Sequence, residues 1–300
     1  MWLILGLVSS LLLGAYDVSK KVSLQDNAVI PVLTMSIIFS SVILLPFVLI
    51  SVLFPSALAG TAFFTPAVDF QTHLLLIIKA IIVLISWIFG YFGIKHLPIT
   101  IASPIKATQP VWVVAGGILI FGEKLNLYQS IGVGITLVSF FLISYEGRKE
   151  VKSENGSVKW IWFVILATLT GAVSGLYDKY LIGNFNHMTV QTYYTIYQAI
   201  LMIIVTAVLW YPSRKGSSKF KFRWSILFIS LFLVAADFAY FYALTMPDSM
   251  ISIVSTLRRA GVIVPFMFGV FVLHDKNLKI KSLDLAGVIL GMVFMFLGSK

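Results

Sequence analysis

The sequence predicts an all-α integral membrane fold, with ten transmembrane helices arranged as two inverted five-helix repeats. Three observations carry that expectation. Hydrophobic residues make up 59% of the 300 and charged residues only 11%, with a mean hydropathy of +0.97, whereas soluble domains carry about 25% charged residues. Apolar runs follow one another almost end to end, separated by short polar connectors, which leaves no room for an extramembrane domain. The two halves also resemble each other when laid side by side.

About 20 apolar residues cross a bilayer, and ten runs meet that measure: 2–19, 29–53, 74–95, 98–121, 127–145, 160–182, 189–211, 224–245, 248–273 and 283–299. Period-two alternation is absent and the runs are too long for barrel strands. Helices, which satisfy every backbone group internally, are therefore the reading for each. The connectors KKVSLQDN, GEKLN, EGRKEVKSENGSVK, PSRKGSSKFKFR and HDKNLKIKS end runs sharply, whereas 55–73 is long, half apolar and reads as an interfacial excursion. Met1 and Trp2 enter the first run with no basic region and no cleavage signature, so it reads as a mature first helix.

The internal match defines the domains as 1–146, a basic connecting loop 147–159, and 160–300. "GYFGIKHLP" (90–98) matches "AYFYALTMP" (239–247), "AYD" (15–17) matches "LYD" (176–178), and "SIGVGITLVSFFLIS" (130–144) tracks "LAGVILGMVFMFLGS" (285–299). Five helices is an odd number, so the second copy enters from the opposite side. Charge agrees with this inversion. Odd-numbered connectors hold Lys20, Lys21, Lys95, Arg148, Lys149, Lys152, Lys159, Arg214, Lys215, Lys219, Lys221, Arg223, Lys276, Lys279 and Lys281, against Lys124 and the terminal Lys300 on the other side. By the positive-inside rule the odd-numbered loops are cytoplasmic, in a bacterial inner membrane.

The same distribution accounts for the net charge of +10 as topology signals, which argues against nucleic acid as a partner. With no cysteine, disulfides and thiolate metal sites are excluded. His73, His96, His187 and His274 fall at loop edges without metal-ligand spacing, so neither a metal nor another cofactor is expected.

Ten runs, a five-plus-five repeat and the stretch "SPIKATQPVWVVAGGILIFGEKLNLYQSIGVGITLVSFFLIS" (103–144) resemble the drug/metabolite transporter superfamily, EamA-type. That resemblance rests on Pro104, Pro110, Gly122, Glu123, Asn126, Gly132 and Gly134, and more weakly on Pro265, Asp275, Lys276 and Gly287. It implies a secondary carrier, not an enzyme, with a small-molecule substrate. It also implies cytoplasmic termini, opposite to the charge count.

Ionisable side chains near the bilayer centre cost about 2.5–3.5 kcal/mol each on insertion scales and usually mark pathways. Lys106 in helix 4, Asp237 in helix 8, and Arg258 and Arg259 in helix 9 qualify. Adjacent helical residues diverge by about 100°, so the two arginines face different neighbours. Asp237 paired with one arginine is the simplest structural reading, and it leaves an excess of positive charge that a phosphate or carboxylate ligand would neutralise. The arrangement looks like the phosphate site of triose-phosphate translocators, which would make Lys106, Arg258 and Arg259 the anion ligands. Trp87, Tyr91 and Tyr240 are candidate substrate walls, with lipid-facing belts the competing reading.

Asp17 and Asp178 stand at repeat-equivalent places as candidate gating or coupling carboxylates. The competing reading pairs Asp17 with Lys20 or Lys21 and lets Lys179 snorkel. Lys79, placed about one turn and a half into helix 3, is read as snorkelling too. Pro104, Pro110 and Pro265 are hinge candidates beside the charged set. "GAVSG" (171–175) and "GVILG" (287–291) permit close helix contact within or between protomers, so monomer and homodimer both stay open.

The expectation is thus a carrier of a small anionic metabolite, phosphorylated or carboxylated, working by alternating access around a midplane cavity in the lipid bilayer. A proton-coupled exporter of amino acids or amphiphilic, cationic compounds is the alternative, with a coupling proton or counter-substrate as the second partner. A polytopic membrane enzyme or lipid-processing protein would need clustered His, Asp or Glu, which the sequence does not show.

Overall fold

A computed structural model describes residues 1–96, 105–106, 108–146, 158–214, 219–262, 264 and 278–299. Among these the elements are helical, and no strand occurs. In chain order they are α1 Trp2–Leu24, α2 Val29–Leu53, a one-turn helix Pro55–Leu58, α3 Phe70–His96, α4 Gln109–Phe121, α5 Leu127–Glu146, α6 Val158–Asn184, α7 His187–Val205 with a π-helical extension Thr206–Trp210, α8 Ser225–Thr245, α9 Ile251–Arg259 with a 3-10 turn Ala260–Val262, and α10 Leu278–Leu297.

Six of them are long and apolar enough to cross a membrane: Trp2–Leu24, Val29–Leu53, Phe70–Gly90, Val158–Asn184, His187–Trp210 and Ser225–Thr245. Gln109–Phe121, Leu127–Ser139 and Ala286–Leu297 are shorter apolar helices. Two expected runs are described in part: of the fourth, expected from 98, the helix Gln109–Phe121, and of the ninth, expected to 273, the helix Ile251–Arg259. The stretches 97–104 and 265–277, and the connecting loop 147–157, lie outside the described residues.

Helices of the first half pack chiefly on helices of the second. The largest contacts are α1 with α8, α5 with α10 and α3 with α6, followed by α2 with α7, α3 with α7, α2 with α8, α1 with α9, α4 with α9 and α4 with α6. Exchanging each helix with the one five places along maps every pairing in this set onto another member or onto itself.

Small residues allow the closest crossings. A Cβ on Gly261 would strike the backbone oxygen of Ser10, and one on Gly291 would strike the Gly132 oxygen and Thr136. Both GxxxG patterns serve contacts inside the chain, since Gly171 and Gly175 face α3 and α4 while Gly287 and Gly291 face α5.

Among the described residues the α1–α2 and α7–α8 connectors meet at one end of the bundle, the odd-loop end, and the connectors α2–α3, α4–α5, α6–α7 and α8–α9 lie at the other, the even-loop end. At the odd-loop end, Asn27 donates to the Ser23 and Lys221 carbonyls and accepts from the Lys221 N–H at 2.8 Å, tying the α1–α2 turn to the α7–α8 connector. At the even-loop end the long connector folds back on the bundle. Phe63 stacks between Phe47 and Phe238 with ring centroids 5.3 and 5.2 Å apart, and the Thr65 N–H donates to Ser51 Oγ at 3.0 Å.

Asp69 caps α3 from that connector, accepting from the Thr72 hydroxyl and from the Thr72 N–H at 3.1 Å. These two bonds hold its carboxyl below the usual range, the hydroxyl contributing most. A depressed folded-state value means the cap is fully effective above the unfolded value of about 3.9 and is lost as pH falls through the lower folded value. The protection factors of amides in the first turn of α3, taken against intrinsic exchange at each pH, are therefore expected to fall in that acid window, and Asp69→Ala is expected to remove this pH dependence.

Candidate functional site

Inside the bundle, six side chains close a ring of alternating charge and aromatic contacts. Asp237 on α8 pairs with Arg258 on α9 and accepts from the Tyr194 hydroxyl on α7 at 2.9 Å. The Arg258 guanidinium lies over the Tyr240 ring, 4.1 Å from its centroid. The Tyr240 hydroxyl donates to Asp178 on α6 at 3.3 Å, and Asp178 pairs with Lys79 on α3 at 2.5 Å. Lys79 then lies 5.9 Å from the Tyr194 ring centroid, which closes the circuit. It also donates to the Ser174 carbonyl at 2.9 Å and to the Ser174 hydroxyl at 2.6 Å.

The ring is balanced, with two carboxylates against two cations. Lys79 is 2% exposed, Asp178 5%, Tyr240 2% and Asp237 8%, so neither carboxylate nor Lys79 relies on water for its charge. In such a setting each charge depends on its partner, because an unpaired buried ion bears the full desolvation cost. At 1.5 Å rise per residue, the five contributing helices place these groups about 8–14 Å inside the even-loop face.

Lys79 is the residue that sequence reasoning misplaced. The apolar run was counted from 74, but α3 begins at Phe70, so Lys79 lies a full turn deeper than a snorkelling lysine would. Its partner is Asp178, which therefore stands in a buried ion pair. Lys179 likewise does not snorkel. It donates to the Ser249 carbonyl at 2.5 Å and to the Ser249 hydroxyl at 3.0 Å.

A second charged group lies toward the odd-loop face. Arg259 turns away from Arg258 and donates to Gln109 Oε1 at 2.5 Å. Asp17 on α1 senses Lys20, Arg259 and Lys106 electrostatically. Asp17, Lys106 and Arg259 are solvent-exposed, and the region they border is called the vestibule. Gly90 on α3 borders it, since a Cβ there would lie 3.9 Å from Lys106 Nζ. Among the described residues Lys106 and Arg259 lie near the Asp17 carboxylate.

The even-loop end is closed by Glu123. From the α4–α5 turn its carboxylate accepts from the backbone N–H of Ile251 at 2.5 Å, the N–H of Ser252 at 3.0 Å and the Ser252 hydroxyl at 2.5 Å. It thus supplies the start of α9 with an anionic cap from another element. The neighbouring residues hold this turn in place. Gly122 ends α4 with φ 65°, which a residue bearing Cβ rarely adopts. Asn126 and Gln129 form a reciprocal capping box on α5, with bonds of 2.9 and 3.0 Å.

Other candidates fall elsewhere. Trp87 packs against the cluster of Leu33, Ile37, Leu84, Ala199 and Met202. Pro110 sits in the first turn of α4, where its missing N–H costs no intrahelical bond. Pro104, Pro265 and the side chain of Tyr91 lie outside the described residues. Among the described residues no group of three or more His, Cys, Asp or Glu side chains is placed to hold a metal ion.

The model of the EamA-like transporter family matches residues 1–145. The first half of the chain is therefore similar to that family. An "Uncharacterized transporter" of Archaeoglobus fulgidus is 28% identical over 131 residues, covering 40% of this chain and 45% of that relative, so the match spans about half of the relative's length. A solved structure described only as a crystal structure of a protein superposes with a TM-score of 0.71 at 13% identity, covering 99% of this chain and 96% of the other. That likeness extends the fold across the second half of the EamA-like chain. With its apolar helices, the EamA-like match makes this an integral membrane protein, set in lipid.

Proposed function

We propose that the protein is a secondary carrier of a small anionic metabolite, phosphorylated or carboxylated, which alternates access between its two faces. What supports this most is an asymmetry between repeat-equivalent groups. Asp17 and Asp178 correspond through the AYD and LYD motifs, and aligning GEK (122–124) on HDK (274–276) sets Lys106 opposite Arg258. On the even-loop side Asp178 and Arg258 are enclosed in the ring, whereas on the odd-loop side Asp17 and Lys106 face the vestibule. One half-site sealed and its counterpart open is the arrangement expected of a pseudo-symmetric carrier resting in one of two states. The helix pairings, which survive exchange of the two halves, support the same reading and the domain division 1–146 and 160–300.

Charge argues the substrate class. The ring neutralises itself, so Arg258 and Asp237 are elements of closure in this state. Among the described residues Lys106 and Arg259 against Asp17 leave the vestibule positive, and guanidinium and ammonium donors suit a phosphate or carboxylate. The density of basic residues in the odd-numbered connectors supports a cytoplasmic vestibule in an inner membrane.

The test is counterflow in liposomes holding the purified protein, with labelled inorganic phosphate and a panel of phosphorylated and carboxylated metabolites. At least one anion is expected to exchange. Arg259→Ala and Lys106→Ala each reduce that exchange by about 10-fold or more, the loss of one charge-assisted contact. Exchange left intact in both variants, or exchange of cations alone, would overturn the substrate class.

A further inference from the structure

A small enclosed cavity of about 10 Å³ lies between α2, α7 and α8, and its polar lining is Ser40, Gln191, Tyr194, Thr195, Gln198 and Asp237. That volume accommodates about one water molecule. Two of the lining amides are incompletely bonded although they are buried, Gln191 at 1% and Gln198 at 3% exposure. Gln191 Nε2 donates to the Val234 carbonyl at 2.8 Å, which fixes the amide's orientation and leaves Oε1 as an acceptor with no protein partner. Gln198 Nε2 is a donor with no protein partner. The two glutamines are seven residues apart, two turns of one helix face.

The demands of the pair select the occupant. A cation would satisfy the Gln191 oxygen and be repelled by the Gln198 amide hydrogens, and an anion would do the reverse. Water donates to the first, accepts from the second, and retains a hydrogen for the Tyr194 oxygen or the Asp237 carboxylate beside it. We propose that this cavity is a one-water site bridging Gln191 and Gln198 to the Tyr194–Asp237 pair.

The site does not depend on the carrier reading.

A water-resolving crystal structure of the protein tests the site. An ordered solvent peak between the Gln191 oxygen and the Gln198 amide nitrogen is expected, and it should be lost in Ser40→Val, which fills the cavity and leaves both glutamines. A cavity without solvent density, or a peak unchanged in Ser40→Val, would overturn the proposal. The peak in a protein that moves no anion in liposomes would uphold the site and overturn the carrier reading instead.

Discussion

Arg258→Ala destabilises the folded protein by about 3–5 kcal/mol, the usual cost of stranding one member of a buried ion pair. The variant removes the cation facing Asp237 and the cation above the Tyr240 ring. Asp237 then keeps only the Tyr194 hydroxyl, 2.9 Å away, for a charge that water barely reaches. The expected readout is a lowered thermal or denaturant midpoint in mild detergent, with far-UV helicity retained below the transition. The double variant Arg258→Met/Asp237→Leu recovers most of the loss, because an apolar pair of similar volume replaces two desolvated ions. A single-variant loss below about 1 kcal/mol is the figure for a solvated pair and would mean that water fills the ring. Lys79→Met tests the other half of the circuit, and its cost should fall when Asp178→Asn is added.

Glu123→Ala unlocks the even-loop face. It removes three bonds that join the α4–α5 turn to the start of α9 and leaves two N–H groups short of a partner at a cost of about 1–3 kcal/mol. The chain has no native cysteine, so a single introduced thiol reports on accessibility without background. Ser252 is fully buried behind the Glu123 carboxylate. Ser252→Cys should resist an impermeant maleimide in the otherwise native chain and react about 10-fold faster once Glu123→Ala is added, following the shift toward the open population. Equal labelling in the two backgrounds would show that Glu123 does not hold the seal. Glu123→Gln should give an intermediate rate, since its amide oxygen still accepts but carries no charge for the α9 N-terminus.

Membrane integration and helical class were legible from apolar run length, because a bilayer imposes one length scale on every span. Lys106, Asp237, Arg258 and Arg259 stand out in the sequence for a related reason, since charges are costly inside a span. Partner choice was less visible. Which arginine faces Asp237 depends on the phase of α9, and run lengths do not reveal that phase. Lys79 was missed because a lysine within two turns of a helix end satisfies its charge equally well by reaching water, and a boundary error of one turn decides between the two. Helix ends at Pro110 and Gly122 follow local rules. Glu123, by contrast, acts on Ile251 and Ser252, more than a hundred positions along the chain, and a short motif carries no sign of that. Gln191 and Gln198 lacked any signal, since a buried amide becomes informative only when its partners can be counted.

The vestibule's single-sided access is what the carrier account stands on, and cysteine labelling from the two faces of oriented membrane vesicles tests it most directly. Gly90→Cys places a thiol beside Lys106 in ordinary van der Waals contact with its surroundings, and Lys219→Cys, exposed in an odd-numbered connector, identifies the odd-loop face. The account predicts that an impermeant maleimide reaches Gly90→Cys only from the face that labels Lys219→Cys, and that a transported anion slows the reaction. Labelling of Gly90→Cys from the opposite face, or equally from both, would contradict it.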